Sequence, residues 1–455
     1  MVTAIIGRQF LTQYNQQYGS GLSAKAFFET VCFPLFYGHP KYLQWVGNSP
    51  FVQMKKGQKP HLLTPAERIE KLANLAQKIE EGDVDASTAI GYPASEASEF
   101  ATTSGQVTDL AMANDDDTVY CSWIGGGFGV GVAGGQILLF DHPLILKTLF
   151  AGWQHYRDFL NDPAYDNLPG NKINSWNGQW LSHAFSDDYR EHSPLREFTG
   201  KAFISEPNKD IEIKPQSWLA VLLGIASQLP LDSLTGYIYK MGQTNSTYGF
   251  IPFQLGQLQR PEQIYVKLFG DGPYQRDKAI IRTLYGSAQS FQRICQMGAV
   301  GVSALEPKGL RELIPSGRGE AKNFKYDSGN ADNQITFNTY ITWLLAMLNN
   351  DEFWDEAGRA ANLFLRYEQG AGKLKSDRGN QVEKARNAVG KRQFLDGLVP
   401  IMETANVDLL ADFEAFAEKI HKLPNDNFPY FQTLIRLRYA RQARETGSPD
   451  LFTNN

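Results

Sequence analysis

The chain has few cysteines, and none is placed to form a familiar disulfide or metal motif. Only Cys32, Cys121 and Cys295 occur in 455 residues, and there is no CxxC pair. An odd number of widely separated cysteines argues against a disulfide framework and against a zinc ribbon. This cysteine usage is typical of a protein from a reducing compartment, so we expect a cytoplasmic location.

Long apolar runs and a secretory leader are also missing. The longest apolar run, at 218–226, is far shorter than the roughly 20 residues that a membrane-spanning helix needs. The opening residues, MVTAIIGRQF, have no basic stretch followed by an apolar one, so we expect no signal peptide. The sequence therefore predicts a protein without a membrane partner.

The common local signatures of catalysis are missing as well. The seven histidines form neither HExxH nor another closely spaced metal pair. There is no Gly-x-Ser-x-Gly elbow and no Walker A lysine motif. Since each of these chemistries normally leaves a local trace, we predict a protein that is not an enzyme and that has no cofactor or metal.

The residues that are present predict an α+β protein of two or three domains. Aromatic residues make up 12% of the chain, which is enough to bury sizeable cores. We expect an aromatic-rich helical cap at 1–85 and an irregular mixed α/β body with glycine- and amide-rich loops at 86–305. A polar linker at 306–332 and a C-terminal helical bundle at 333–455 follow.

Hydrophobic periodicity and capping residues place the elements within this plan. The capping-box spacing of Thr64 and Glu67 starts a helix that ends before Gly82. The runs 118–124 and 136–140 have the composition of strands. Further helices are predicted at 143–160, 216–228, 277–298, 334–349, 352–369, 381–404, 406–421 and 427–445.

A glycine-rich segment, GGGFGVGVAGG at 125–135, lies between the two predicted strands. It contains a G-x-G-x-x-G match from Gly129 to Gly134, but a dinucleotide site also needs a following helix and an acid about 20 residues on. Here the strand-like QILLF follows instead. We favour a hairpin whose glycines relieve crowding, and a loop that lets a nucleic acid approach the backbone is the other interpretation.

Carboxylates at two places could bind a metal ion, and those at the second place keep a metal-dependent nuclease open as the alternative function. Asp115, Asp116 and Asp117 form a triplet that more often makes a solvated turn than a metal site. Asp210, Glu212 and Lys214 resemble the E-x-K strand of such nucleases, in which the carboxylates hold Mg²⁺. Asp187 or Asp188 would complete that set. A short surface strand is the competing interpretation of IEIKP.

The most informative segment is KLKSDRGNQVEKARNAVGKR at 373–392. It has seven cations against two anions, although the whole chain has a formal charge of −5. A local positive segment in an acidic protein is typical of contact with nucleic acid or an anionic membrane surface. A second group of arginines, Arg436, Arg438, Arg441 and Arg444, follows on the predicted last helix, where Arg436 points away from the stripe that the other three form.

Two amide-rich segments, at 171–180 and 240–249, are predicted as loops. Their Asn and Gln side chains could contact base edges and their aromatic side chains could stack on bases, although turn chemistry explains the same residues. The predicted nucleic-acid-binding residues are Lys172, Asn174, Asn177, Gln179, Gln243, Asn245, Lys373, Lys375, Arg378, Lys384, Arg386, Lys391, Arg392, Arg438, Arg441 and Arg444.

This layout resembles the large subunit of a type I CRISPR surveillance complex (Cascade), for example of the I-B kind. The resemblance is carried by the α/β body with its glycine- and amide-rich loops and by the helical C-terminal third with its basic segments. Met347 adds to it, because a product that starts there would have 109 residues and would match the separate small subunit of some of these families. The resemblance is architectural and includes no invariant motif.

The resemblance implies a non-catalytic subunit of an RNA-guided DNA surveillance complex. In that role the body would recognise the motif that flanks the DNA target, and the bundle would bind the displaced strand or the guide–target hybrid. The implied partners are target DNA, guide RNA, other Cascade-type subunits and a recruited helicase–nuclease that cuts the DNA.

Overall fold

The computed structural model describes residues 1–41, 49–82, 89–91, 115–205, 210–240, 246–285, 291–316, 321–370 and 375–445. The protein is α+β, as the sequence predicts, with a small antiparallel sheet in the N-terminal body and a helical C-terminal region. Two compact units are present: Met1–Leu255 with Cys295–Ala299, and Gly256–Ile294 with Val300–Asn455.

The first unit combines eight helices of the described chain with six strands. A π-helical segment, Phe28–Tyr37, follows α2, and short 3₁₀ turns lie at Pro60–Leu62 and Pro163–Tyr165. The elements in chain order are α1 (Val2–Tyr18), α2 (Ala24–Phe27), α3 (Pro65–Glu80), α4 (Asp116–Gly126), β1 (Val130–Val132), β2 (Gln136–Phe140), α5 (Pro143–Asn161), α6 (Ile173–Ala184), α7 (Phe198–Ala202), β3 (Phe203–Ile204), β4 (Glu212–Ile213), α8 (Trp218–Gln228), β5 (Leu234–Lys240) and β6 (Ser246–Phe253).

The second unit is helical in its described residues. It has 3₁₀ turns at Val302–Leu305 and Leu310–Leu313. Helix α11 (Phe291–Gln296) is divided between the two units, with its last two residues in the first. The other helices of the second unit are α9 (Leu255–Phe269), α10 (Asp271–Leu284), α12 (Ala331–Leu348), α13 (Phe353–Glu368), α14 (Lys375–Arg386), α15 (Lys391–Thr404), α16 (Val407–Lys422) and α17 (Phe428–Glu445).

The four-stranded sheet has the order β1-β2-β5-β6 and is antiparallel throughout. Val130 lies opposite Leu138, and Leu138 lies opposite Ile238 on the next strand. Every residue of β2 is buried, which explains why QILLF is apolar except for its first residue. The predicted strand at 136–140 is therefore confirmed.

The other predicted strand, 118–124, is wrong, because these residues belong to helix α4. Asp115 is the N-cap of that helix, and its Oδ1 accepts a hydrogen bond of 2.8 Å from the backbone N–H of Thr118. Asp116 and Asp117 occupy the first turn, where the positive end of the helix dipole favours carboxylates. The acidic triplet thus starts a helix. The residues that follow the triplet have a strand-like composition, but their burial in the folded protein overrides this preference.

Helix α4 packs on α1 with almost no side chain between the two backbones. A Cβ added at Gly7 would overlap the carbonyl oxygen of Cys121 and come within 2.8 Å of the backbone nitrogen of Gly125. A Cβ at Gly125 would likewise overlap the carbonyl of Thr3. The two glycines therefore set the distance between these helices.

The remaining helix predictions hold with two exceptions in their boundaries. The predicted helix at 381–404 is two helices, α14 and α15, and the prediction at 277–298 covers parts of α10 and α11. The break after α14 is stabilised from α17, because Gln432 Nε2 donates to the carbonyl oxygens of Arg386 at 2.9 Å and Ala388 at 2.7 Å. A buried side chain distant in sequence thus satisfies the carbonyls that a continuous helix would use.

The two units do not follow the predicted boundaries at 85 and 305. The aromatic segment at 1–85 is part of the first unit, where Phe28 and Tyr37 pack against Trp123 of α4 at centroid distances of 5.7 and 5.3 Å. Helices α9 and α10, which the prediction assigned to the body, belong to the second unit apart from Leu255. Hydropathy alone does not predict either boundary between the units, because each boundary depends on which helices pack together.

Candidate nucleic-acid interface

The amide-rich segment at 171–180 was predicted as a loop, and this is wrong for most of its length, because helix α6 begins at Ile173. Lys172 lies just before the helix and is exposed. Asn174 is half-buried on the first turn, against the glycine-rich segment at Gly129 and Gly131. Of these residues, only Lys172 is freely presented to solvent.

Asn177 and Gln179 are buried on α6 and are used inside the fold. Asn177 Nδ2 donates to the carbonyl oxygens of Gly127 and Gly129 at 2.8 and 3.0 Å, and its Oδ1 accepts from Trp153 Nε1 at 3.2 Å. Gln179 Nε2 donates to the carbonyl oxygen of Lys214 at 2.8 Å. These amides bond to the protein itself, so they do not present a base-reading edge at the surface.

The glycine-rich segment is the hairpin that we favoured. β1 and β2 pair directly, and the turn between them has Gly134 and Gly135 in the left-handed region, with φ of 93° and 78°. A Cβ at Gly131 would come within 2.9 Å of the backbone of Asn174. Because a strand follows the glycines, the context of a dinucleotide site is not met, and close packing on α6 accounts for the small residues.

Part of the predicted site lies outside the described residues. This applies to Gln243, Asn245 and Lys373. Helix α14 begins at Lys375, whose side chain is also outside the described part. Nothing further follows for these four positions.

Arg386 is the buried centre of a small polar cluster that we name the Arg386 cluster: Arg386, Tyr439 and Glu368. The guanidinium lies over the Tyr439 ring, 3.7 Å from its centroid, and only 4% of Arg386 is exposed. The Tyr439 hydroxyl donates to Glu368 Oε2 at 2.6 Å. Burial raises the pKa of Glu368, and the bond from Tyr439 and the charge of Arg386 oppose that rise. Arg386 therefore stabilises the bundle interior and is not a surface cation.

Arg378 is also withdrawn from solvent. Its guanidinium lies 5.5 Å from the centroid of the Tyr367 ring, and the residue is half-buried. Its Nε and Nη1 atoms are buried and have no hydrogen-bond partner within the described residues. Lys384, on the same helix, is exposed. Of the cations of α14 whose side chains are described, Lys384 alone is fully presented to solvent.

The arginines of α17 point in different directions. Arg436 is buried and donates to the carbonyl oxygens of Leu313 at 2.7 Å and Ala321 at 3.0 Å, and burial lowers its pKa to about 10. Arg438 lies over the Trp354 ring at 3.9 Å. Arg441 pairs with Glu445 at 2.8 Å, whereas Arg444 is exposed. The predicted stripe of three arginines is thus divided among different environments.

Two basic helix ends meet at one place, which we name the basic corner: Lys391, Arg392, His421 and Lys422. Lys391, the first residue of α15, donates from Nζ to the carbonyl oxygens of His421 at 3.1 Å and Leu423 at 2.9 Å. This lysine caps the C-terminal end of α16, where the helix dipole favours cations. The bond joins the start of α15, which carries Arg392, to the end of α16, which carries His421 and Lys422. His421 and Lys422 are not among the residues predicted from the sequence.

The basic corner keeps a positive balance. Lys422 pairs with Glu418 at 2.5 Å, and Arg392 lies 4.0 Å from Asp396. Lys391, Arg392 and Lys422 thus stand against two carboxylates. The Arg392 side chain is 97% exposed and Lys422 is 71% exposed, so both can reach a ligand outside the protein.

The carboxylates of the alternative function are not gathered into a metal site in the described part. Glu212 lies on β4, which pairs with the two-residue strand β3 in the short second sheet. Lys214 Nζ donates to the carbonyl oxygen of Gly200 at 3.1 Å. Asp188 pairs with Lys201 at 3.4 Å. Among the described residues, no group of three or more His, Cys, Asp or Glu side chains could hold a metal ion.

Comparisons with known proteins leave the basic corner to be interpreted from its own geometry. No family model, curated protein or solved structure matches this chain. In the ranges that the structure describes, no helix is both long enough and apolar enough to cross a membrane.

Proposed function

We propose that this protein is a non-catalytic nucleic-acid-binding subunit of a larger assembly, and that the basic corner contacts the phosphate backbone. The observation that carries the proposal is the bond from Lys391 to the last carbonyls of α16, which joins two helix ends that carry the exposed cations Arg392 and Lys422. Exposed cations at one place bind phosphates and release condensed counterions. Lys384 on α14 and Lys172 of the first unit are further exposed cations among the predicted residues.

The type of assembly is proposed from the resemblance in layout. An α/β body followed by a helical bundle with basic segments is what the large subunit of a type I CRISPR surveillance complex has. In this role the protein binds target DNA and guide RNA together with other Cascade-type subunits, recognises the flanking motif, and recruits a separate helicase–nuclease. The cytoplasm is the location that fits this function.

The test compares two charge reversals of matched exposure. In the double variant Arg392→Glu/Lys422→Glu both exposed cations of the basic corner are reversed. Lys322→Glu is the control, because Lys322 also belongs to the second unit, is also 71% exposed, and also pairs with a carboxylate, Glu312, at 2.7 Å. Binding to single-stranded DNA, duplex DNA and RNA is measured by fluorescence anisotropy over a series of salt concentrations.

We expect salt-sensitive binding for the unaltered protein and weaker binding for the double variant. Loss of two phosphate contacts should reduce the slope of log K against log salt by about 1.4 for single-stranded DNA, and by about 1.8 for duplex DNA. The control should keep the original slope. The proposal fails if the protein, alone and with its partner subunits, shows no salt-sensitive binding, and the basic corner is excluded if the double variant binds like the control.

A further inference from the structure

Helices α13 and α16 border a groove. Of the nucleic-acid-binding residues predicted from the sequence, only Arg438 lines it. Its cavity has a volume of about 580 Å³ and is lined from α13, α16 and α17. Small-molecule sites in proteins range from roughly 300 to 1,000 Å³. The cavity is therefore large enough for a ligand of the size of a nucleotide.

Two ion pairs cross the groove and mark its ends. Glu356 pairs with Lys419 at 2.5 Å, and Arg366 pairs with Asp412 at 3.5 Å. The two α13 positions are ten residues apart, which is about 15 Å along a helix. Leu363 lies between them on α13 and is buried, as is Phe416 on α16, so the centre of the groove has an apolar floor.

Arg438 lines the same cavity and has no carboxylate within hydrogen-bonding distance among the described residues. Its guanidinium stacks on Trp354, and its Nε is buried without a hydrogen-bond partner in that part of the chain. The terminal Nη2 lies beside Gly358, where any Cβ would overlap it. Burial and the charge of Arg441 lower the pKa of Arg438, and the charges of Asp355 and Glu445 oppose that lowering.

Arg359 is the second cation of the groove without a short ion pair. It lies 3.8 Å from Glu356, which already pairs with Lys419, and its side chain is 68% exposed. Arg359 and Arg438 come from different helices. An anion that bonds to both must offer acceptor oxygens on more than one side, as a tetrahedral phosphate does.

The total charge of the groove limits the ligand further. Four cations line it (Arg359, Arg366, Lys419 and Arg438), together with three carboxylates (Asp355, Glu356 and Asp412), so the balance is one positive charge. A triphosphate carries more negative charge than this balance offsets and would meet stronger repulsion from the carboxylates than a single phosphate. Asp355 and Asp412 can accept hydrogen bonds from hydroxyl or amino groups on the rest of such a molecule.

We propose that the groove between α13 and α16 binds a small molecule of nucleotide size that carries one phosphate group, held by Arg359 and Arg438. The apolar floor at Leu363 and Phe416 takes the ring portion of that molecule. The phosphate belongs either to a free nucleoside monophosphate or to the phosphodiester of a nucleic acid. Binding of a mononucleotide or of a dinucleotide probe distinguishes these two sources. This site is independent of the basic corner.

The experiment is isothermal titration of the full chain with three probes: adenosine monophosphate, a dinucleotide with one phosphodiester, and inorganic phosphate. Arg438→Met removes the stacked guanidinium, and Arg359→Gln removes the exposed one without disturbing buried packing. Lys322→Gln is the control for an exposed cation outside the groove. We expect saturable binding of a probe at millimolar concentration or below, weakened about tenfold by Arg359→Gln and at least tenfold by Arg438→Met.

Each outcome of the titration leads to a different conclusion about the ligand. Binding of adenosine monophosphate that Arg359→Gln weakens supports a free nucleotide as the ligand. Binding of the dinucleotide alone, weakened in the same way, supports the phosphate site and assigns its source to nucleic acid. The proposal is overturned if none of the three probes binds saturably, or if Arg359→Gln binds like the unaltered protein. Because Arg359 is exposed, weaker binding by Arg359→Gln is not attributable to misfolding.

Discussion

Replacing Arg386 should reduce stability much more than replacing Lys384, although both lie in the same basic segment. Arg386→Met keeps the apolar stem and removes the guanidinium that lies 3.7 Å from the Tyr439 ring. A desolvated cation–π contact is worth about 2 kcal/mol, and removing one partner of buried charges costs roughly 3–5 kcal/mol. Since the burial cost of Arg386 itself is relieved, we expect a net loss of about 2–4 kcal/mol.

The loss should depend on pH through Glu368. Burial raises the pKa of this carboxyl group, so the folded state favours its protonated form. Stability from a raised pKa is present below the unfolded-state value and is lost as pH rises through the folded-state value. Removing Arg386 removes a charge that lowers the pKa of Glu368, so the destabilisation should increase as the pH rises above the ordinary range of a glutamate carboxyl group. Glu368→Gln in the same chain should recover part of it.

The assay is urea unfolding followed by tryptophan fluorescence, in which Trp343 and Trp354 report on the second unit. Lys384→Met is the matched control, since it removes one charge from an exposed position of the same helix and should change stability by less than about 0.5 kcal/mol. The reasoning would be refuted if Arg386→Met unfolded at the original urea concentration and at the same time lost nucleic-acid binding. Arg386 would then be a phosphate contact.

Three further outcomes follow from the packing. Gly7→Ala should destabilise the first unit by about 3 kcal/mol, because the new Cβ overlaps backbone that cannot move aside, whereas Gly200→Ala, with open space around it, should be close to neutral in the same urea experiment. Asn177→Ala leaves the carbonyls of Gly127 and Gly129 without their bonds and should reduce stability by about 3 kcal/mol; Lys172→Ala is the control, and unchanged stability in Asn177→Ala would contradict the assigned bonds. A product that starts at Met347 would lack most of α12 and the carbonyls of Leu313 and Ala321 that Arg436 bonds, so we expect it to be insoluble when expressed alone; a soluble, monomeric and cooperatively folding product would contradict this.

Local sequence signals determined most of the helices. The capping box of Thr64 and Glu67 is present as predicted, with the Thr64 N–H donating to Glu67 at 2.7 Å. The helical periodicity of the last third appears as α12, α13, α16 and α17 with boundaries within a few residues. Such signals suffice because capping and amphipathic burial act within one or two turns of the chain.

Tertiary structure decided which cations of the basic segment face solvent. Lys384, Arg386, Lys391 and Arg392 are equivalent in a list of charges, yet one stacks inside the bundle, one caps another helix and two are exposed. The same applies to Asn177, whose neighbours in sequence suggest a polar loop, although its partners lie about 50 residues away. A residue carries its charge wherever it lies in the fold. Its burial decides what that charge can bind, and burial depends on helices that meet only when the chain folds.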